Sequence, residues 1–424
     1  MAQIEHNSLR RKLFRHLGIV FSENVATKAM NFVIILLLSV HLGPGDYGKY
    51  SYIFVNVAFC AAFFDFGMEN TAVRFSARDK NSTNVLFGLY ALAKLTIVGV
   101  VTLALALFGE QIFTLLGKPE MVPYLPYFIV GFIGESLLFV NDTYLQAIQR
   151  FKLRAMINIG RFLLSLFFVG ALYLVDDLKL EYALLLYYLP IAMSLFFLPK
   201  YASFLKSYFT ARLRKEALAE VLHYEKWMLL VSIPTNTLGR IDFLMIALWV
   251  TYDQIGIYNV AFQLSAIVAF LPFVLSKVML PSLSELTPSR VVSFTRGLAK
   301  PTLLISAGMF ALIPLARPVI NLILGASYQP AITILQFMLV SAIVAFALIP
   351  IEQALYSLGR PKYITVGKCV QIVFIVILIS LTVPTLGLVW AAVSVAIARL
   401  LYGLLLLGMY MSFARTVPAE SEAA

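Results

Sequence analysis

Residues 329–384 read QPAITILQFMLVSAIVAFALIPIEQALYSLGRPKYITVGKCVQIVFIVILISLTVP. Two apolar stretches, 329–357 and 363–384, flank a short connection that carries Arg360 and Lys362. An apolar stretch of about 20 residues is long enough to cross the hydrocarbon core of a bilayer as a helix. This fragment therefore predicts two transmembrane helices joined by a basic turn.

The same pattern extends along all 424 residues of the chain. Because 61% of the residues are hydrophobic and only 13% are charged, little sequence is left for a soluble domain. We predict an all-α integral membrane protein with about twelve transmembrane helices. The predicted helices are 17–42, 48–69, 85–108, 124–148, 155–176, 181–200, 226–250, 254–282, 299–318, 329–357, 363–384 and 386–412.

Basic residues divide unequally between the two sides of these helices. Of the 33 lysines and arginines, 23 fall at the N-terminus, in the tail and in alternate connections, whereas the opposite connections hold 4. Positive charge is retained on the cytoplasmic side, so we expect both termini to be cytoplasmic. The net charge of +11 then faces the anionic inner leaflet, and we expect membrane lipids but no nucleic acid as a partner.

The chain repeats itself weakly. A shift of 208 residues aligns residues 48–50 with 256–258 and residues 116–117 with 324–325. Six helices precede a second six, so both halves enter the membrane in the same orientation. We therefore predict two six-helix bundles related by a pseudo-twofold axis along the membrane normal.

The predicted domains follow from this repeat. An N-terminal bundle spans residues 1–200, and a C-terminal bundle spans residues 226–424. Between them, residues 201–225 form an amphipathic, basic stretch that we expect on the cytoplasmic surface.

Two polar stripes interrupt otherwise apolar helices of the two halves. The stripe of helix 1 comprises Asn24, Lys28 and Asn31. The stripe of helix 7 comprises Ser232, Asn236 and Arg240. Their spacing places each set on one helical face, and the faces correspond under the 208-residue shift. We predict that these faces line a substrate-binding cleft.

Other ionisable residues within the spans have two interpretations. Such a charge survives in hydrocarbon only if it faces water or a partner, so each one marks either an interhelical ion pair or a functional site. The additional cations proposed for the cleft are Arg161 and Arg399. The acids proposed for ion coupling are Asp65, Glu135 and Asp242. Arg240 and Asp242 are two residues apart, which on a continuous helix directs them to different faces.

Motifs of catalysis or metal binding are missing from the sequence. It contains no GxxxxGK[ST], HExxH, GxSxG or GxGxxG, and its two cysteines, Cys60 and Cys369, lack a CxxC spacing. We therefore expect no catalytic residue, no metal and no cofactor, and we interpret the chain as a transporter rather than an enzyme.

Several stretches resemble a known family. LGPGDYGKYS at 42–51 and FFDFGMENTAVRF at 63–75 resemble the first hairpin of the polysaccharide transporter family, the Wzx-type flippases of lipid-linked oligosaccharides, which are related to multidrug-and-toxin exporters. RIDFLMIALWVTYDQIGIYNVA at 240–261, LGASYQPAITIL at 324–335 and ALYSLGRPKYITV at 354–366 extend the resemblance over nearly the whole chain.

The resemblance implies a function. A transporter of this family would move an undecaprenyl-pyrophosphate-linked oligosaccharide across a bacterial cytoplasmic (inner) membrane by alternating access, for O-antigen, capsule or exopolysaccharide synthesis. It would work alongside a polysaccharide polymerase and a chain-length regulator. Lys28 and Arg240 would then contact phosphate or acidic sugar. The alternative is an ion-coupled exporter of drugs or small molecules with the same architecture, whose cleft should favour acids.

Overall fold

The computed structural model describes residues 2–79, 82–210, 215–284 and 287–415. Helices make up most of this part of the chain. They are α1 (Ala2–Phe63), α2 (Met68–Arg78), α3 (Thr83–Leu115), α4 (Leu125–Ala147), α5 (Phe151–Leu174), α6 (Leu180–Leu184), α7 (Tyr188–Leu195), α8 (Leu198–Thr210), α9 (Lys215–Leu238), α10 (Ile241–Ile246), α11 (Tyr252–Ser284), α12 (Pro288–Met309), α13 (Ala316–Ile323), α14 (Ala331–Ser357), α15 (Pro361–Leu386) and α16 (Val389–Ala414).

The length and apolarity of these helices make the chain a multi-span membrane protein. Within the described residues, seven helices are long and apolar enough to cross a bilayer, or up to nine if two bent helix pairs each count as one span. Large apolar side chains such as Leu115, Leu174 and Leu322 are almost fully exposed, as side chains in contact with lipid would be. The predicted all-α membrane fold class is confirmed.

Each of the twelve predicted spans falls on helical residues, but several of them divide differently. The first two spans form one long helix, α1, which breaks at Gly43 (φ 69°) before Pro44. A left-handed φ favours glycine, and the proline cannot donate the missing hydrogen bond, so the chain changes direction here. The seventh span, 226–250, is also broken, because α9 ends at Leu238 and α10 begins at Ile241.

The first compact unit comprises residues 1–42 and 52–236. Its best-packed aromatic core surrounds Phe87, Tyr90 and Phe204, where α3 meets α8. A second small core contains Phe132 and Val98. The unit also holds the tight break after α1, where Gly67 (φ 90°) leaves room for only a hydrogen against Ser232 of α9.

The second compact unit comprises residues 43–51 and 237–424. Its core is built around α14, which packs on α11, α12 and α16. Ile343, Ile349 and Leu355 of α14 are buried there with Tyr402 and Leu406 of α16. Over its best apolar window, α14 is the most enclosed of the seven spanning helices, whereas the others present most of their surface outward.

The proposed domain limits, 1–200 and 226–424, stay a prediction beside these units. Of the predicted linker, residues 201–210 belong to α8 and residues 215–225 to the start of α9. Arg212 and Arg214 of the predicted basic linker lie outside the described residues.

Candidate functional site

Lys94 and Asp65 form a deeply buried ion pair in the first unit. The Lys94 ammonium lies 3.1 Å from the Asp65 carboxylate and donates to the carbonyl oxygen of Ala61. Tyr90 donates a hydrogen bond to the same carboxylate oxygen, and the backbone N–H of Glu69 donates to the other. Both oxygens of Asp65 are therefore occupied at the break after α1. Its proposed role in ion coupling stays a prediction.

Arg161 and Glu135 pair with each other within the same unit. Their closest atoms, Nη1 and Oε1, are 2.6 Å apart, and both side chains are largely buried. The Arg161 guanidinium also lies over the ring of Phe162, 4.9 Å from its centroid. One cation proposed for the cleft and one acid proposed for coupling thus neutralise each other.

Sequence reasoning missed a third polar cluster, which joins helices α1, α4 and α5. The amide nitrogen of Asn158 donates to Glu23 Oε1 at 2.7 Å and to Asp142 Oδ2 at 3.1 Å. Arg154 lies 3.5 Å from the Glu23 carboxylate. One buried oxygen of each acid, Glu23 Oε2 and Asp142 Oδ1, accepts no hydrogen bond from the described residues. The signals in the sequence were two acids within apolar stretches, Glu23 in the first and Asp142 in the fourth, and neither indicated the other as a partner.

The helix 1 stripe lies on α1, and its members differ in environment. The Lys28 side chain is exposed, and Asn31 is half-buried. Asn24 donates to the carbonyl oxygen of Val20 at 2.7 Å, one turn earlier on its own helix. The assignment of this stripe to substrate binding stays a prediction.

The helix 7 stripe is not continuous. Asn236 of α9 donates to the carbonyl oxygen of Ala62 at 2.9 Å, within the first unit. Arg240 follows the end of α9, has a non-helical backbone (φ −146°) and belongs to the second unit. The prediction that Arg240 continues the face of Asn236 is wrong, because the helix ends before it.

The same break changes the relation of Arg240 to Asp242. Since Arg240 precedes the first turn of α10, the two residues do not occupy opposite faces of one helix, and their charges interact. Tyr258 of α11 donates to Asp242 Oδ2 at 2.7 Å. The Arg240 guanidinium lies over the ring of Phe262, 4.5 Å from its centroid. Its Nη1 atom is buried and has no hydrogen-bond partner among the described residues.

Arg399 of α16 belongs to the same network of charges. It interacts electrostatically with Glu352, Tyr402 and Asp242. Tyr402 donates to Glu352 Oε1 at 2.6 Å. Arg399 Nε is buried without a hydrogen-bond partner in the described part of the chain. Asp242 thus interacts with both arginines, which the sequence had suggested separately.

We call Arg240, Asp242, Glu352 and Arg399 the arginine cluster. It contains two guanidinium groups and two carboxylates, and each guanidinium keeps one buried N–H group that the described residues do not bind. A buried donor without a partner is costly, and guanidinium is suited to phosphate and carboxylate oxygens. The arrangement can accept an anionic group without bringing in a new cation.

The turn between α5 and α6, near residue 176, carries charges of a different kind. Asp177 lies 2.7 Å from Lys179, and Asp176 lies 3.7 Å from the ring of His41. The Asp177 carboxylate raises the pKa of the Lys179 amine by stabilising its charged form. The Asp177–Lys179 pair is exposed, and so is Asp176, whereas the His41 side chain is mostly buried. Among the described residues, no three acidic, histidine or cysteine side chains come together as metal ligands.

A family model of polysaccharide biosynthesis proteins matches residues 37–333, which is most of the chain. The chain belongs to the polysaccharide biosynthesis protein family. The matched region of this family member includes Arg240 and Asp242, whereas Lys28, Glu352 and Arg399 lie outside it. The resemblance of the quoted motifs to polysaccharide transporters is confirmed at the level of the family.

Solved structures of low sequence identity share the fold. A lipid II flippase, MurJ, in an inward closed conformation matches 92% of this chain and 87% of its own length, with a TM-score of 0.75 and 14% identity. A multidrug resistance MATE family transporter in an inward-facing conformation matches 92% and 96%, with a TM-score of 0.64 and 14% identity. A mutant of the Vibrio cholerae MATE transporter VcmN matches 97% and 98%, with a TM-score of 0.65 and 14% identity.

No curated protein sequence matches this polysaccharide biosynthesis protein. At 14% identity the structural matches establish the fold alone. The chain is thus a multi-span membrane protein of the polysaccharide biosynthesis family, and its fold is similar to the folds of these solved structures.

Proposed function

We propose that the protein is a flippase for undecaprenyl-pyrophosphate-linked oligosaccharide repeat units. It moves them from the cytoplasmic to the outer leaflet of a bacterial inner membrane by alternating access, with both termini cytoplasmic. The product supplies a surface polysaccharide such as O-antigen, capsule or exopolysaccharide, through a polymerase and a chain-length regulator. The MurJ likeness supports this class of substrate, since that protein is named as a flippase of a lipid-linked molecule.

One observation carries the proposal: each arginine of the arginine cluster keeps a buried donor without a partner among the described residues. A sugar pyrophosphate cannot cross hydrocarbon unaided, because its charges and hydroxyls would lose their hydration. A transporter must therefore offer cationic donors to the phosphates. Arg240 and Arg399 fit this role, and Asp242 and Glu352 keep the cluster neutral while it is empty.

The test is deletion of the gene in its own host, followed by extraction of lipid-linked oligosaccharides. We expect undecaprenyl-linked repeat units to accumulate facing the cytoplasm and the surface glycan to be lost. Re-expression should restore both. Normal surface glycan without accumulation, in a host that has no second flippase, would contradict the proposal.

An ion-coupled exporter of small cationic molecules is the second candidate. The cluster of Glu23 and Asp142 supports it, because two buried acids with unoccupied oxygens suit a cation or a proton. Sensitivity of the deletion strain to cationic drugs, with normal polysaccharide, would favour this alternative. Acid residues Asp65 and Glu135 are weaker candidates, since both are already paired.

A further inference from the structure

The start of the helix after Gly43 crosses the start of α11 within the second unit at unusually short range. A Cβ atom placed on Gly48 would lie 1.8 Å from the carbonyl oxygen of Tyr252. One placed on Gly256 would lie 2.2 Å from the carbonyl oxygen of Pro44. Neither position can carry a side chain without separating the two helices. We call residues 43–51 the strap.

The crossing is reciprocal. Pro44 and Tyr252 are 208 residues apart, as are Gly48 and Gly256, so each residue makes the contact that its equivalent makes in return. Ser51 and Asn259, also 208 residues apart, are joined by a hydrogen bond of 2.9 Å. This is how two equivalent surfaces meet across a twofold axis. The shift seen in the sequence thus recurs as direct contact between equivalent residues.

The side-chain amide of Asn259 on α11 forms two hydrogen bonds to the strap. Asn259 Nδ2 donates to Ser51 Oγ and to Tyr47 Oη, the latter at 3.0 Å, and all three residues are buried. Tyr47 also interacts electrostatically with Arg240. The docked strap therefore holds a buried tyrosine within electrostatic range of one arginine of the arginine cluster.

The strap continues along the chain into helical residues that are assigned to the first unit. Residues from Tyr52 onward are part of the first unit, whereas residues 43–51 belong to the second. Gly43, with its left-handed backbone, breaks the helix on the other side of the strap. The strap is thus bounded by a flexible glycine and by the change of unit, as a segment that detaches would be.

We propose that the strap is a gate that docks on α11 and releases from it once in each transport cycle. Its release takes Tyr47 away from Arg240 and opens the arginine cluster toward the side predicted to be outer. This inference rests on the proposed function, because a gate needs a transport cycle.

A disulfide between the strap and α11 tests the gate directly. The chain has two cysteines, Cys60 and Cys369, which are first replaced by serine. The pair Gly45→Cys and Asp253→Cys is suitable, because a Cβ atom at Gly45 lies 3.7 Å from Asp253 Cγ. Oxidation should form the bond and lower surface polysaccharide output about tenfold, and reduction should restore it.

A disulfide within the second unit that spans no gate serves as the control. The hydroxyls of Thr382 and Ser394 are 3.3 Å apart on α15 and α16, so Thr382→Cys with Ser394→Cys should also cross-link. Its oxidation should leave output unchanged. Unchanged output with a fully formed Gly45→Cys/Asp253→Cys disulfide would overturn the gate, as would failure of that disulfide to form.

A labelling experiment tests the gate independently of the substrate. Ser51 is fully buried in the docked strap, so Ser51→Cys should react with a membrane-impermeant maleimide only after release. Adding Gly48→Ala should raise the labelling rate about fivefold by disfavouring the docked state. The control Gly99→Ala, where an added Cβ meets open space, should not change the rate.

These experiments distinguish failure of the gate from failure of the proposed function. If Gly48→Ala leaves labelling unchanged, or if the thiol never reacts, the gate is wrong whatever the protein transports. If labelling behaves as expected but the deletion strain has normal glycan and lipid-linked intermediates, the proposed function fails and the gate belongs to a transporter of another substrate.

Discussion

The buried charges of the two units are used in different ways. In the first unit, Lys94 with Asp65 and Arg161 with Glu135 make direct ion pairs at 3.1 and 2.6 Å. Arg154 of this unit has a buried Nε without a hydrogen bond to the described residues, but it lies 3.5 Å from the Glu23 carboxylate. In the second unit, Arg240 and Arg399 each keep a buried donor that the described residues do not bind. A charge whose donors are bound by its own chain stabilises the fold, whereas a charge with a free donor is available to a ligand. What separates structural from functional cations is therefore the set of contacts that each cation makes, and not how deeply it is buried.

The largest effect should come from breaking the Lys94–Asp65 pair. Lys94→Ala leaves Asp65 buried and uncompensated, which we expect to cost about 3–5 kcal/mol of stability. Thermal unfolding in detergent and membrane abundance measure this loss. Adding Asp65→Asn to Lys94→Ala should recover part of it. A stable single variant that fails to transport would instead assign Lys94 to the functional group.

Arg240→Ala should abolish most transport while leaving abundance near normal. Loss of a charge-assisted contact to phosphate predicts a decrease of about tenfold or more in surface glycan output. Arg240→Lys keeps the charge but not the planar fork, so we expect an intermediate value. A large fall in abundance, matching that of Lys94→Ala, would show that Arg240 is structural and would remove the contrast between the units.

The Arg161–Glu135 pair sharpens the comparison because it is partly accessible. Arg161→Ala should reduce stability by about 1–3 kcal/mol, the range for a hydrogen bond to a charged group. The exchange Arg161→Glu with Glu135→Arg should restore stability and transport together. Restored stability without transport would mean that the position of the cation matters, and Arg161 would join the functional group.

Asn24 should give the smallest effect. Its amide bonds to a carbonyl of its own helix, so Asn24→Ala should change stability by about 1 kcal/mol or less and leave glycan output unchanged. Lys28→Ala in parallel tests the neighbouring stripe residue. Equal loss of output in both variants would show that Asn24 and Lys28 bind substrate together. The first unit would then contain a functional site as well.

Helices were predictable from the sequence because length and apolarity decide what can cross a bilayer. The twelve predicted spans therefore fall on helical residues, although the first two form one kinked helix and several others are divided. The break at Arg240 was missed because 226–250 was interpreted as one continuous helix. Gly239, directly before Arg240, is the residue in the sequence that favours a helix end there. For the same reason, the spacing of Arg240 and Asp242 does not act on one continuous helix, as the prediction of different faces assumed.

The sequence indicated which residues are candidates for the site, but it did not indicate which of them contact one another. Arg240, Arg399 and Asp242 stood out as charges in apolar helices, but their shared network depends on α10, α11 and α16 meeting in space. Glu23, Asp142 and Asn158 come from three helices distant in the sequence, so no spacing indicated their contact. Pairing across helices is set by packing, which one sequence does not display.

The most direct test of the account is lipid binding to the purified protein by native mass spectrometry. Undecaprenyl-pyrophosphate-linked oligosaccharide competes with the monophosphate form for the wild-type chain and for the variant Arg240→Gln/Arg399→Gln. The account predicts preference for the pyrophosphate lipid in the wild type and loss of that preference in the folded variant. Equal retention of the preference in the variant would show that the arginine cluster does not bind the phosphates.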